Sequence, residues 1–152
     1  MCESGRSESE KDSVGLAEED KRRHRIALVE DSDEDVFLIR EASRKFPSEI
    51  HFVRFTTAES AIAGLTEPGS LPLDGIMLDL NLPRGSGLEV LDAIRRSDGL
   101  RSSRVVILTS SGSARDRAAA EALGIRAYIE KPTGLDDFER AVEQALDKLL
   151  TA

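Results

Sequence analysis

Tryptophan is absent from these 152 residues, and tyrosine and cysteine occur once each. The single thiol, Cys2, excludes an internal disulfide, and one cysteine with two histidines, His24 and His51, excludes a zinc finger. Long apolar runs are also missing. The longest, residues 26–29 and 105–108, fall far short of the roughly 20 residues that cross a bilayer. No apolar stretch near Met1 reads as a secretion signal. Basic residues are the minority, 21 against 29 acidic, for a formal net charge of −8. That balance does not offer the basic stripe that nucleic acid or an anionic membrane surface requires, so neither is expected as a partner. The expectation is a cytoplasmic chain.

What is present fits one globular domain of ordinary size, with 39% hydrophobic and 33% charged residues. Residues 1–24 stand apart: five basic and seven acidic side chains alternate without helical order, and the hydrophobic residues are only Met1, Cys2, Val14, Leu16 and Ala17. They read as a disordered or flexible tail ahead of a folded unit over residues 25–152. The basic group Lys21-Arg22-Arg23-His24-Arg25 reads as a solvated flank, since acidic residues adjoin it.

From Arg25 onward, short apolar runs alternate with longer periodic stretches. Residues 26–30, 52–56, 75–80, 105–109 and 127–130 read as strands. Ile26-Ala-Leu-Val and Val105-Val-Ile-Leu are apolar at successive positions, as suits strands covered on both faces of a parallel sheet. Helical patterns lie between them. Ser32 is an N-cap for a helix to about Lys45, with Asp33, Glu34 and Asp35 placed to complement the helix dipole. Thr56-Thr-Ala-Glu59 has capping-box spacing, and Gly124 ends the helix begun near Ala114. The last helix sets Leu135, Phe138, Val142, Ala145 or Leu146, and Leu149 at steps of three and four. Five strands each followed by a helix define an α/β fold, a doubly wound parallel sheet with right-handed crossovers.

The ends of the strands carry the chemistry. The first ends Glu30-Asp31, the third runs Ile76-Met-Leu-Asp79, the fourth ends Thr109-Ser110 and the fifth Glu130-Lys131-Pro132. Ligands of open α/β sheets bind outside the carboxyl ends of the strands, where strand order reverses. With the first and third strands adjacent there, Glu30, Asp31 and Asp79 share one space. Two such charges about 4 Å apart repel by about 4 kcal/mol at an effective dielectric near 20. Either a carboxyl takes up a proton or a cation sits among them. An oxygen-only donor set suits Mg²⁺, Lys131 offers a point charge for a phosphoryl group, and Thr109 offers a hydroxyl. This is an inventory for metal-assisted phosphoryl transfer onto a carboxylate.

These residues resemble the receiver domain of two-component response regulators. The resemblance covers about residues 25–150. It rests on Leu28-Val-Glu-Asp31, on Met77-Leu-Asp79-Leu-Asn-Leu-Pro83 with Gly85 and Gly87, on Val106-Ile-Leu-Thr109-Ser, and on Ala127-Tyr-Ile-Glu-Lys131-Pro132. The chain looks most like stand-alone receivers, including those that serve phytochrome-type histidine kinases. The resemblance implies a flavodoxin-like strand order, 2-1-3-4-5. It implies that Asp79 accepts a phosphoryl group from a histidine kinase or phosphotransfer protein. Asp31, Glu30 through water, Asp79 and the Asn81 carbonyl would hold Mg²⁺. Thr109 and Lys131 would contact the phosphoryl group, Tyr128 would change rotamer with Thr109, and the bond before Pro132 would be cis. The two metal acids, Asp79, Lys131 and a divalent ion sum to zero charge, and an acyl phosphate takes the site to about −1.

Glu30 stands where most receivers have Asp, and the loop after Thr109 is the polar Ser110-Ser111-Gly112-Ser113, which implies an altered phosphoryl lifetime rather than lost function. A phosphohydrolase of the haloacid dehalogenase type would need a second Asp two residues after the nucleophile, and Asn81 stands there. A phosphorylation-independent adaptor would not need the acids. Gly85-Ser-Gly87 lacks the third glycine of a dinucleotide fingerprint, and no GK[ST] marks a P-loop. With no output domain read after the last helix, the signal is expected to leave through protein contact. The expected face is formed by the fourth helix, fifth strand and fifth helix, and it is also a possible homodimer surface.

Overall fold

The strand β1 (Arg23–Val29) sends Ile26 and Leu28 into one apolar layer and Ala27 and Val29 into the other, all four buried. A run such as residues 26–29, apolar at successive positions, is stable only between two layers, and that is the geometry found. The computed structural model describes residues 23–70 and 72–151. In chain order, β1 is followed by α1 (Asp33–Ser43), β2 (Glu49–Phe55), α2 (Ala58–Leu65), β3 (Gly75–Leu78) and α3 (Gly87–Arg96). Then come β4 (Val105–Thr109), α4 (Ala114–Leu123), β5 (Ala127–Glu130) and α5 (Leu135–Leu150). The five strands pair in parallel in the order β2-β1-β3-β4-β5. The order reverses between β1 and β3, so the switch point of this sheet falls between Glu30 and Asp79.

Helices α1 and α5 cover one face, packing Ile39, Val142, Leu146 and Leu149 on Ile26, Leu28, Met77 and Val106. Helices α2, α3 and α4 cover the other, where Leu91 and Ile94 meet Ile76, Leu78 and Ile107. Ser32 caps α1 as expected, accepting from the Asp35 N–H at 3.2 Å. The second cap is one residue off the expected spacing: Thr57, not Thr56, caps α2, and its box closes on Ser60. Leu135 is 68% exposed, because the buried stripe of α5 begins only at Phe138. β1 starts at Arg23, two residues inside the expected tail, since Arg23 and His24 pair in register with Glu49 and Ile50. The remainder of that tail lies outside the described residues. No helix among the described residues is long and apolar enough to cross a membrane.

Candidate functional site

Asp79 follows the last residue of β3 and is buried, with each carboxylate oxygen engaged separately. Oδ1 accepts the Asn81 backbone N–H at 3.0 Å, and Oδ2 accepts from the Lys131 Nζ at 3.0 Å. The main chain around it is fixed by a close approach. A Cβ on Gly87 would stand 2.3 Å from the Asp79 carbonyl oxygen and 2.7 Å from the Leu80 Cα, so only glycine lets α3 begin there.

The loop from β1 to α1 brings the other acids. One carboxylate oxygen from each of Glu30, Asp31 and Asp79 lies within 4.8 Å of the others. Glu30 is 2% exposed and Asp31 is open to solvent, at the mouth of a cleft of about 480 Å³ shared with Asn81, Ser86 and Asp116. Burial pushes the Glu30 carboxyl from its ordinary 4.5 up to about 7; the Lys131 hydrogen bond opposes this and the Asp79 charge adds to it. A trio of oxygen ligands in which burial and a neighbouring carboxylate raise the pKa of one acid is short of positive charge. The donor set therefore fits a hard divalent cation.

Lys131 follows β5, on the far edge of the sheet. Its ammonium meets Glu30 Oε1 at 2.7 Å, Asp35 Oδ2 at 2.7 Å and Asp79 Oδ2 at 3.0 Å. Burial works against its charge, but the bonds to Asp35 and Glu30 and the charges of Asp79 and Glu30 outweigh it and hold the amine protonated. The Lys131–Pro132 bond is trans, not cis as expected. Trans is the lower form of such a bond by about 0.5–1 kcal/mol, and Lys131 reaches all three acids from it.

The hydroxyl side of the site is organised by Ser111. Thr109, fully buried, accepts the Ser111 N–H at 3.3 Å, and the Tyr128 hydroxyl donates to the Ser111 carbonyl at 2.9 Å. The Ser111 hydroxyl donates to Asp116 at 2.7 Å. The polar segment after Thr109 is thus held at three points, and Tyr128 lies inward with the Arg117 guanidinium 5.1 Å over its ring. Asn81 Nδ2 donates to the Ser110 hydroxyl at 3.0 Å, closing the rim above Asp79.

Besides the organising role of Ser111, two participants were not read from the sequence. Asp35, expected only to complement the helix dipole, touches Lys131. Arg54, on β2, donates to the carbonyls of Glu30 at 3.1 Å and Asp31 at 3.0 Å and pairs with Asp33 at 2.9 Å. Acids at a helix start and an arginine in a strand were the available signals, and both have ordinary explanations.

Acids at two strand ends, a hydroxyl at a third and a lysine at a fourth thus lie along the carboxyl edge of this sheet. The chain belongs to the response regulator receiver domain family, whose model matches residues 26–143. Receivers are the signalling switches of two-component systems and interact with histidine kinases and downstream targets. The chain is similar to the probable methanogenesis regulatory protein FilR2 of Methanothrix harundinacea, 37% identical over 78% of this chain and 79% of that protein. It is similar to the response regulator Rcp1 of Synechocystis, 32% identical over 78% of this chain and 83% of that one. The manganese-bound crystal structure of Rcp1 matches with a TM-score of 0.78 over 85% of this chain and 96% of its own, at 31% identity. The phosphorylated cyanobacterial phytochrome response regulator RcpA matches with a TM-score of 0.77 over 86% and 96%, also at 31% identity.

Proposed function

We propose that this protein is a single-domain response regulator acting in the cytoplasm, and that Asp79 accepts a phosphoryl group from a histidine kinase or phosphotransfer protein in a Mg²⁺-dependent reaction. The observation that carries this reading is the Asp79 carboxylate itself, buried between two acids and a lysine with each oxygen separately oriented. An Asp79 oxygen attacks phosphorus, the P–N bond to the donor histidine breaks, and the electron pair leaves on the imidazole nitrogen, which takes a proton from water. Glu30, Asp31, Asp79 and the Asn81 carbonyl would hold the divalent cation, which neutralises the phosphoryl oxygens when bound. Lys131 supplies a further positive charge and keeps an N–H on the reacting carboxylate. Thr109 turns to a phosphoryl oxygen, and Ser111 passes the change to Tyr128. Output then leaves through the α4–β5–α5 face, to a protein target or a second copy. Such a chain is a switch acting on its own Asp79, not an enzyme turning over an external substrate.

The test is intact mass after incubation with acetyl phosphate, with and without Mg²⁺, for wild type and Asp79→Asn. A Mg²⁺-dependent gain of one phosphoryl group in wild type alone is expected. No gain in a folded wild type overturns the reading and leaves a phosphorylation-independent adaptor. Sedimentation with and without a phosphoryl mimic tests the output face, where identical profiles and identical target binding would refute it.

A further inference from the structure

The Lys131 ammonium has three N–H donors, and three carboxylates use them: Glu30, Asp35 and Asp79. Glu30 and Asp79 belong to the acid trio already described; Asp35 does not. It stands at the third position of α1, where an acid ordinarily reaches back to the cap residue's own N–H to complete a capping box. That N–H belongs to Ser32 and is taken by Glu30 Oε2 at 3.1 Å, while the Ser32 hydroxyl holds the Asp35 backbone at 3.2 Å. The Asp35 side chain is therefore released from its local task and its main chain is fixed, so Oδ2 meets Lys131 at 2.7 Å, 96 residues away in the chain. Lys131 is 9% exposed and Asp35 25%, so the pair lies at the inner edge of the site rather than in open solvent.

We propose that Asp35 is a positioning residue that anchors Lys131. This rests on the phosphoacceptor reading above. When Glu30 turns toward a cation it gives up its hold on the amine, and Asp79 changes from carboxylate to acyl phosphate. Asp35 alone among the three partners takes no part in either event. It keeps the ammonium on the α1 side of the site, with its other N–H donors free for the phosphoryl oxygens on Asp79 and away from the oxygens that hold the cation. Without Asp35, Lys131 settles on Glu30 and Asp79 and competes with the cation for them.

The experiment compares wild type, Asp35→Ala, Asp35→Asn, Lys131→Met and Asp35→Ala with Lys131→Met. Each is measured for phosphorylation rate with acetyl phosphate at saturating Mg²⁺, and for Mg²⁺ dissociation constant without a phosphodonor. Asp35→Ala folds, because alanine is the best helix former and Lys131 keeps two carboxylates. It is expected to phosphorylate about five- to ten-fold more slowly and bind Mg²⁺ about three-fold more weakly, with both effects shrinking below about two-fold in the Lys131→Met background. Asp35→Asn, whose side-chain oxygen still accepts from Lys131, recovers the rate to within about three-fold of wild type. An Asp35→Ala rate equal to or above wild type, or losses that persist undiminished without Lys131, would overturn the anchor. A wild type that takes up no phosphoryl group fails the phosphoacceptor reading instead, and the Mg²⁺ arm still decides whether Asp35 acts through Lys131.

Discussion

The two halves of the site around Asp79 are built on opposite terms. On the α1 side, four carboxylates and one ammonium meet, with Glu30 and Asp79 buried, Asp31 open to solvent, and Glu30, Asp35 and Asp79 all on the one amine. On the α4 side, Thr109, Ser111 and Tyr128 are neutral and joined by single hydrogen bonds through one residue. A buried charged group stripped of its partner costs several kcal/mol, whereas one neutral hydrogen bond contributes about 1 kcal/mol. The charged half is therefore suited to holding a cation and a phosphoryl group, and the neutral half to changing shape at little cost once they are bound.

The comparison breaks most severely at Lys131. Lys131→Met leaves three carboxylates facing one another, and metal-free stability in urea is expected to fall by about 3 kcal/mol, the low end for a broken buried pair because Glu30 relieves the repulsion by taking up a proton. Saturating Mg²⁺ should restore part of that loss. Acidity offers a milder probe. In the folded, metal-free protein Glu30 holds its proton up to about pH 7, but in the unfolded chain only up to its ordinary 4.5. The folded state binds the extra proton between those values, so this group's contribution to stability falls as pH rises through the window. Melting of metal-free wild type at about pH 5 and about pH 7.5 should show a drop roughly 3–6 °C larger than in Glu30→Gln, and Mg²⁺ should remove it. Equal drops would place the repulsion elsewhere. The smallest effect belongs to the neutral half. Tyr128→Phe removes the bond to the Ser111 carbonyl and is expected to cost about 1 kcal/mol by urea unfolding. The phosphoryl-dependent change in sedimentation should shrink with it, and a full-sized change would exclude Tyr128 from the relay.

The same division explains what was legible in the sequence. Strands that are apolar at successive positions and end in Glu30-Asp31, Asp79, Thr109 and Lys131 display both the two-faced sheet and its reactive edge, because burial and polarity are local properties of residue type. Asp35 and Arg54 were not legible as members of the site. An acid in the first turn of a helix and an arginine in a strand are ordinary, and what distinguishes them is a partner 96 residues away for one and two loop carbonyls for the other. The capping box shifted by one because Thr56 and Thr57 offer the same hydroxyl, and only the entry of the chain from β2 chooses between them. Ser111 escaped for the opposite reason. Its role runs mainly through its backbone N–H and C=O, which every residue but proline possesses.

Arg54 and Lys131 are carried by β2 and just beyond β5, the two outermost strands of a five-stranded sheet. One grips the acidic loop by its carbonyls and the other grips the acids themselves, so the reactive centre is suspended from both margins of the molecule. Edge strands are where amide protons exchange first. Fraying at either margin would slacken the centre that hangs between them, and the half that holds the charge would report it in the exchange rates of Glu30 and Asp31.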